Sequence, residues 1–249
     1  MAAEFLVSSD VDGTLLGDQR ALDAFSHWLE QRRDSIRLVY NSGRSVDSLR
    51  QSVSSTTLPE PDAYIGNVGT EIEICAHDRG LDDWPSLKGR WDPDDVRAAL
   101  EGFPSLEPQP DIFQSPFKVS YFVFDATSEE LDGWQAALDQ RALAVQLVYS
   151  SERDLDVLPQ GVNKGSAAAH LADYWRIPSD RVIVCGDSGN DLSMFAQGFY
   201  GVVVGNALPE LAVLKSSRVY HAQQEFAAGV AEGLEHWISK ADKDVTALA

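Results

Sequence analysis

Two carboxylates one residue apart, Asp10 and Asp12 in Asp10-Val11-Asp12-Gly13-Thr14, close a short apolar run, and a second acidic block, Gly186-Asp187-Ser188-Gly189-Asn190-Asp191, closes another. Between them in sequence lie Ser42, in Ser42-Gly43-Arg44, and Lys164, in Asn163-Lys164-Gly165. Together they could supply what hydrolysis of a phosphate ester requires: a nucleophile, a proton donor for the leaving alkoxide, and positive charge around the phosphoryl group. One of the first two acids would attack phosphorus while the other handles the proton. Ser42 and the backbone around Gly43 would hold a phosphate oxygen at a helix start. Lys164 would neutralise phosphate and nucleophile. A hard Mg²⁺ ion takes oxygen ligands, so Asp10, Asp187 and the backbone carbonyl of Asp12 make a reasonable inner shell, which Asp191 and Asn190 complete or orient.

Each piece taken singly has a plainer reading. Asp-x-Asp-Gly after a strand is a common turn, Ser42-Gly43 a turn or cap, Lys164 a solvated surface lysine, and the later acids helix caps. The combination of four separated segments is what points to chemistry.

Those segments need a scaffold that brings strand ends together. Phe5 to Ser9 reads as a strand, 18–33 as a helix, Ile36 to Tyr40 as a strand, 45–54 as a helix and Ala63 to Ile65 as a strand. The rhythm returns with a helix over 165–175, strand Val182 to Cys185, helix 192–197, strand Gly201 to Val204, and short helices near 209–214 and 227–239, beyond which the chain should fray. Nearly continuous apolar strands alternating with helices predict an α/β fold, a Rossmann-like parallel sheet covered on both faces, with ligands beyond the carboxyl ends of its strands. Between these halves a Pro- and Trp-rich stretch leads to a strand over 118–124, a helix over 128–140, a strand over 144–148 and another near Leu155. Some 75 residues are too many for a loop, usually about 4–6. The organisation expected is a core of residues 1–82 and 161–249 carrying an inserted α+β cap, 83–160.

The chain has 249 residues and a formal charge of −19, from 39 acids against 20 bases, which argues against nucleic acid or an anionic membrane as principal partner. No run approaches the ~18 apolar residues of a membrane span. Met1-Ala2-Ala3-Glu4 leads straight into the first strand without the pattern of an export signal, so a cytoplasmic protein is expected. Cys75 and Cys185 are too few for a disulfide framework and read as inert core residues.

The four motifs resemble the ordered motifs of the haloacid dehalogenase superfamily of phosphohydrolases, and the long insertion resembles the larger cap of its sugar phosphatases. Ser115-Pro116-Phe117-Lys118-Val119-Ser120-Tyr121 and Asp154-Leu155-Asp156-Val157-Leu158-Pro159-Gln160 extend the likeness to the bacterial sucrose-phosphate phosphatases. The resemblance implies that Asp10 forms an aspartyl-phosphate, Asp12 serves as acid and then base, Ser42 and Lys164 hold the phosphoryl oxygens, and Mg²⁺ binds through Asp10, Asp12 and Asp187 with Asp191 supporting. It also implies a sugar between core and cap, near Gly69, Thr70, Glu71, Lys118, Ser120, Tyr121, Asp154 and Asp156.

Lys118 has its own argument. In a lysine-poor, acidic protein a lysine at an apolar strand edge suits sugar hydroxyls or phosphate, the alternative being a snorkelling strand residue. Asn206 reads as a turn residue or a contact to the catalytic loop. Sucrose 6-phosphate is the expected substrate, with glucosylglycerol, glucosylglycerate or mannosylglycerate phosphate as alternatives. A non-catalytic subunit of a sugar-phosphate synthase is the contrasting class, and an active phosphatase could also bind such a synthase. A monomer is the default.

Overall fold

The computed structural model describes residues 4–76, 79–81 and 83–247. In chain order its strands are β1 (Phe5–Ser9), β2 (Ile36–Asn41), β3 (Ala63–Gly66), β4 (Glu71–Ile74), β5 (Arg79–Gly80), β6 (Glu107–Pro108), β7 (Val119–Phe122), β8 (Val145–Ser150), β9 (Asp154–Pro159), β10 (Val182–Gly186), β11 (Tyr200–Val203) and β12 (Val219–His221). Its helices are α1 (Gln19–Glu30), α2 (Val46–Ser55), α3 (Pro93–Leu100), α4 (Ser128–Gln140), α5 (Lys164–Trp175), α6 (Leu192–Phe195), α7 (Pro209–Ala212) and α8 (Phe226–Ala247).

The larger sheet has the order β12-β11-β10-β1-β2-β3-β4-β5. All pairings from β12 to β3 are parallel, whereas β4 and β5 add antiparallel to one edge. The direction of strand progression reverses at β1, so β1 and β10 flank the switch point where α/β sheets bind ligands. Alternate side chains of β1 feed opposite faces. Phe5 and Val7 pack with Leu22, Phe25 and Leu29 of α1 and Val230 and Leu234 of α8, while Leu6 packs with Ala167, Ala168 and Leu171 of α5. Burial on both faces is why these strands read as unbroken apolar runs.

The smaller sheet, β6-β7-β9-β8, is antiparallel throughout and drawn wholly from residues 107–159, inside the stretch expected to be inserted. Asp82, the last residue expected before that insertion, lies outside the described residues. Here period-two alternation sorts the faces: Val119, Tyr121, Leu155 and Val157 pack under Val96 and Leu100 of α3 and Trp134 and Leu138 of α4. The intervening Ser120, Phe122, Asp154 and Asp156 occupy the other face.

Several elements differ from expectation. The core sheet is not purely parallel, because Glu71-Ile72-Glu73-Ile74 returns along β3 directly after a tight turn at 67–69. Helix α3 forms within the Pro- and Trp-rich stretch, where Asp92 caps the N–H groups of Asp94 and Asp95 and Pro93 occupies the first turn. The final helix continues to Ala247 rather than ending near 239. Among the described residues no helix is long and apolar enough to cross a membrane.

Trp134 is 1% exposed at the centre of the smaller unit's core. Trp134→Ala should cost about 3–5 kcal/mol, measured as a lower urea midpoint followed by a probe in residues 93–159. An unchanged midpoint would contradict this packing.

Candidate active site

Three neighbouring parallel strands end at one edge and deliver the chemistry. Ser9 of β1 lies opposite both Tyr40 of β2 and Cys185 of β10. Asp10, Ser42 and Asp187 therefore emerge side by side just past the ladder. The Asp10 N–H still donates to the Cys185 carbonyl at 2.9 Å, which fixes where its side chain begins. Gly13 is needed immediately afterwards: its φ is +77°, and a Cβ there would approach Asp187 Oδ2 to 2.7 Å. Thr14 Oγ1 donates to Asp187 Oδ1 at 2.8 Å, joining the two acidic loops.

Lys164, the first residue of α5, is 0% exposed. Its Nζ donates to Asp10 Oδ1 at 2.7 Å and Asp191 Oδ1 at 2.8 Å. The other Asp191 oxygen accepts the N–H groups of Asp187 (3.0 Å) and Ser188 (3.2 Å). Asp191 is thus engaged at both oxygens and shapes the loop that carries Asp187. One oxygen each from Asp10, Asp187 and Asp191 lies within 4.8 Å of the others, an all-oxygen group suited to a hard cation. The Asp12 carboxylate stands apart from that group. It is half exposed and is gripped by Arg44, whose Nε donates to Oδ2 at 2.6 Å and whose Nη2 contacts Oδ1. Arg44 is itself held through Nη1 by Ser52 Oγ at 2.7 Å.

Three carboxyls around one ammonium leave surplus negative charge. Burial raises Asp10 well above the usual carboxyl range; Lys164 opposes this, and Asp191 and Asp187 add to it. Burial followed by the charge of Asp191 pushes Asp187 up to about 6 against the Thr14 hydrogen bond. Burial alone would lower Lys164, but the Asp10 and Asp191 carboxylates outweigh it and hold the ammonium above its ordinary value. For Asp187, whose ordinary value is 3.8, the sign is definite: its contribution to stability is fully present below that value and is lost as pH rises through about 6.

These loops face the smaller sheet across a cavity of about 570 Å³, within the range of small-molecule sites. Asp10, Asp12, Ser42, Gly43, Arg44, Asp187 and Asn190 line one wall; Lys118, Asp154 and Asp156 are on the other. Lys118 is 3% exposed, with Nζ 3.6 Å from Asp156 Oδ1, so it is a buried cavity lysine rather than a snorkelling one. Ser120 lies behind and donates to Asp156 Oδ1 at 2.5 Å. Lys164 likewise stands behind Asp10.

Besides Ser120, four expected sugar contacts are not brought to the lining. Tyr121 points into the hydrophobic layer beneath α3 and α4, as its place in the β7 alternation requires. Gly69, at φ +96°, lies against the Asn163–Lys164 peptide, where a Cβ would come within 2.1 Å of the Asn163 carbonyl carbon. Its carbonyl accepts Trp84 Nε1 at 2.9 Å. Thr70 is buried and donates to the Asn67 carbonyl, and Glu71 accepts from the Asn67 side chain. This turn braces the start of α5 and thereby Lys164.

Sequence reasoning passed over Arg44, although it directly follows the expected phosphate loop, and Arg153, which pairs with Asp154. Gln109, Phe113 and Phe122 also line the cavity; no motif marks them. Asn206 does reach the Asp10–Thr14 loop: its Nδ2 donates to the Gly13 carbonyl at 2.7 Å while its Oδ1 accepts from Phe226 N–H at 2.8 Å.

The fold, a switch-point sheet carrying these four loops beneath a second sheet, is that of solved haloacid dehalogenase-like proteins, with TM-scores of 0.65 at identities of 19% and 16%. The model of the sucrose-6F-phosphate phosphohydrolase family matches residues 3–238, and the chain belongs to that family. The chain is 38% identical over 238 residues to the mannosylfructose-phosphate phosphatase of Agrobacterium fabrum, covering 93% of this chain and 96% of that one. It is 33% identical over 254 residues to sucrose-phosphatase 1 of Nicotiana tabacum, covering 95% of this chain but 60% of the tobacco protein, and so spans less than two thirds of that relative. The sucrose-phosphatase of Synechocystis sp. PCC6803, solved in complex with sucrose and phosphate, is 35% identical with a TM-score of 0.89, covering 94% of this chain and 98% of that one. The chain is a phosphomonoester hydrolase acting on sugar phosphates.

Lys164→Met removes the only ammonium in the acidic cluster, and breaking a buried ion pair typically costs about 3–5 kcal/mol. The loss should be largest near pH 8 and smaller at pH 5, where Asp10 and Asp187 retain protons. Urea unfolding at the two pH values measures it; equal stability of variant and wild type at pH 8 would refute the pairing.

Proposed function

We propose that this phosphatase hydrolyses sucrose 6-phosphate to sucrose and phosphate, with residues 83–160 acting as the cap that chooses the sugar. The observation that carries the reading is the shared cavity: acidic strand ends form one wall, a polar face of the smaller sheet forms the other, and about 570 Å³ leaves room for a disaccharide phosphate.

Asp10 would attack phosphorus as the bond from phosphorus to the sugar oxygen breaks, and Asp12, protonated and released from Arg44, would give its proton to the departing alkoxide. The resulting Asp12 carboxylate would then take a proton from the water that attacks the aspartyl-phosphate, releasing phosphate and restoring Asp10. Ser42, Gly43 and Asn190 line the phosphate end of the cavity, while Lys164 holds Asp10 in place from behind. Asp10, Asp187 and the Asp12 carbonyl fit Mg²⁺, with Asp191 orienting the loop; when bound, the cation screens phosphate from the carboxylates and stabilises charge on the phosphoryl oxygens.

A second reading is favoured by the Agrobacterium relative, a mannosylfructose-phosphate phosphatase: mannosylfructose, like sucrose, joins a hexose to fructose, and the hexose differs. Initial rates on the phosphates of these two, on glucosylglycerol phosphate and on fructose 6-phosphate decide between them. We expect the highest kcat/KM for sucrose 6-phosphate. A higher value for mannosylfructose phosphate would establish the second reading, and equality with fructose 6-phosphate would remove both.

Asp10→Asn should lower kcat by on the order of 10³-fold or more, since the amide is a poor nucleophile. Trapping phosphate on another residue would overturn the assignment. Mg²⁺ affinity should weaken as pH falls through about 6, where Asp187 takes up a proton. Calorimetric titrations at pH 5 and 7.5 check this, and equal affinity would place the cation elsewhere.

A further inference from the structure

Glu210 stands in α7 and takes no part in the chemistry above. Its Oε1 nevertheless accepts two backbone N–H groups from opposite walls of the cavity: Ser151, in the turn between β8 and β9, at 2.9 Å, and Gly189, in the loop between Asp187 and Asp191, at 3.0 Å. The turn has an unusual need for such a partner. Ser151 and Glu152 have φ values of +56° and +50°, left-handed conformations adopted without glycine, and each is disfavoured unless its surroundings hold it. On the other wall, Gly189 permits the approach: a Cβ there would lie 3.0 Å from both Glu210 Oε1 and the Tyr149 carbonyl.

The segments joined by Glu210 also line the cavity. Ser151 and Arg153 come from the turn, Asp154 from the first position of β9, and Ser188 and Asn190 from the loop. We propose that Glu210 is a positioning residue that latches the β8–β9 turn to the 188–190 loop and so sets the width of the cavity across which the sugar phosphate is held. Hydrogen bonds from two N–H groups to one carboxylate oxygen are charge-assisted, and their loss frees both walls at once. The inference rests on the reading of the cavity as a site for a disaccharide phosphate. A small aryl phosphate reaches only the core wall and has no use for the latch.

The test uses the full chain as Glu210→Ala and Glu210→Gln. Amide hydrogen exchange at Ser151 and Gly189 is followed by NMR without substrate, and kcat and KM are measured for sucrose 6-phosphate and p-nitrophenyl phosphate. In Glu210→Ala, exchange at both amides should rise together by roughly tenfold to a hundredfold, the range expected for lost bonds to a charged acceptor. KM for sucrose 6-phosphate should rise by about tenfold or more, with kcat and the aryl phosphate reaction changing less than about threefold. Glu210→Gln keeps an acceptor oxygen and should restore most of both properties.

Unchanged exchange in Glu210→Ala would overturn the latch. Equal losses on both substrates without rescue by Gln would reduce Glu210 to support of the fold. Because exchange is read without substrate, a wild type that ignores sucrose 6-phosphate sinks the substrate reading and leaves the latch to be judged by its amides.

Discussion

The buried ammonium of Lys164, set between Asp10 and Asp191, constrains much of the architecture around it. An uncompensated charge in this interior would cost several kcal/mol, and so would either carboxylate without its partner. The pair exists only if the end of β1, the end of β10 and the start of α5 converge within hydrogen-bond distance. Gly69 lets its turn lie against the first peptide of α5, and Asn41 Nδ2 donates to the Lys164 carbonyl at 2.9 Å, so backbone on two sides fixes where the lysine starts. The surplus acid that remains after this pairing makes a cation useful and, behind the larger effect of burial, helps to raise Asp187 to about 6.

Across the cavity the logic is that of a sheet with two different faces. The same alternation that sends Tyr121, Leu155 and Val157 beneath the helices turns Asp154 and Asp156 toward the core loops. A shift of one residue in the pairing of β7 with β9 would exchange the two sets, burying acids and emptying the cavity of polar groups. The hydrophobic layer therefore enforces the polar face, and the lining of the cavity depends on side chains that never reach it.

The core was largely legible because its strands are buried on both faces and its acids follow them directly. Helix α4 was readable over 128–140, and the structure adds a capping box between Thr127 and Glu130 at its start. Helix α3 carried an equally clear Asp-Pro start that the surrounding Pro and Trp residues obscured. β5 and β6 have two residues each and β12 three, too short for any period to show. At the site, the side chains fixed by their own strand ends were found, whereas Tyr121 was placed by resemblance against the face that β7 dictates. Arg44 and Glu210 could not be assigned from spacing alone, since their partners Asp12 and Ser151 lie 32 and 59 positions away.

The Asn206 bridge carries a further meaning in time. It ties Gly13, in the loop after β1, to a residue 193 positions later and through Phe226 N–H to the start of α8. β1 likewise finds one of its two neighbours only in β10. At ribosomal speeds of about 5–20 residues per second, the loop emerges roughly 10–40 seconds before the asparagine that secures it. During translation Asp10 must therefore wait, solvated and without Lys164, until the second half of the sheet arrives.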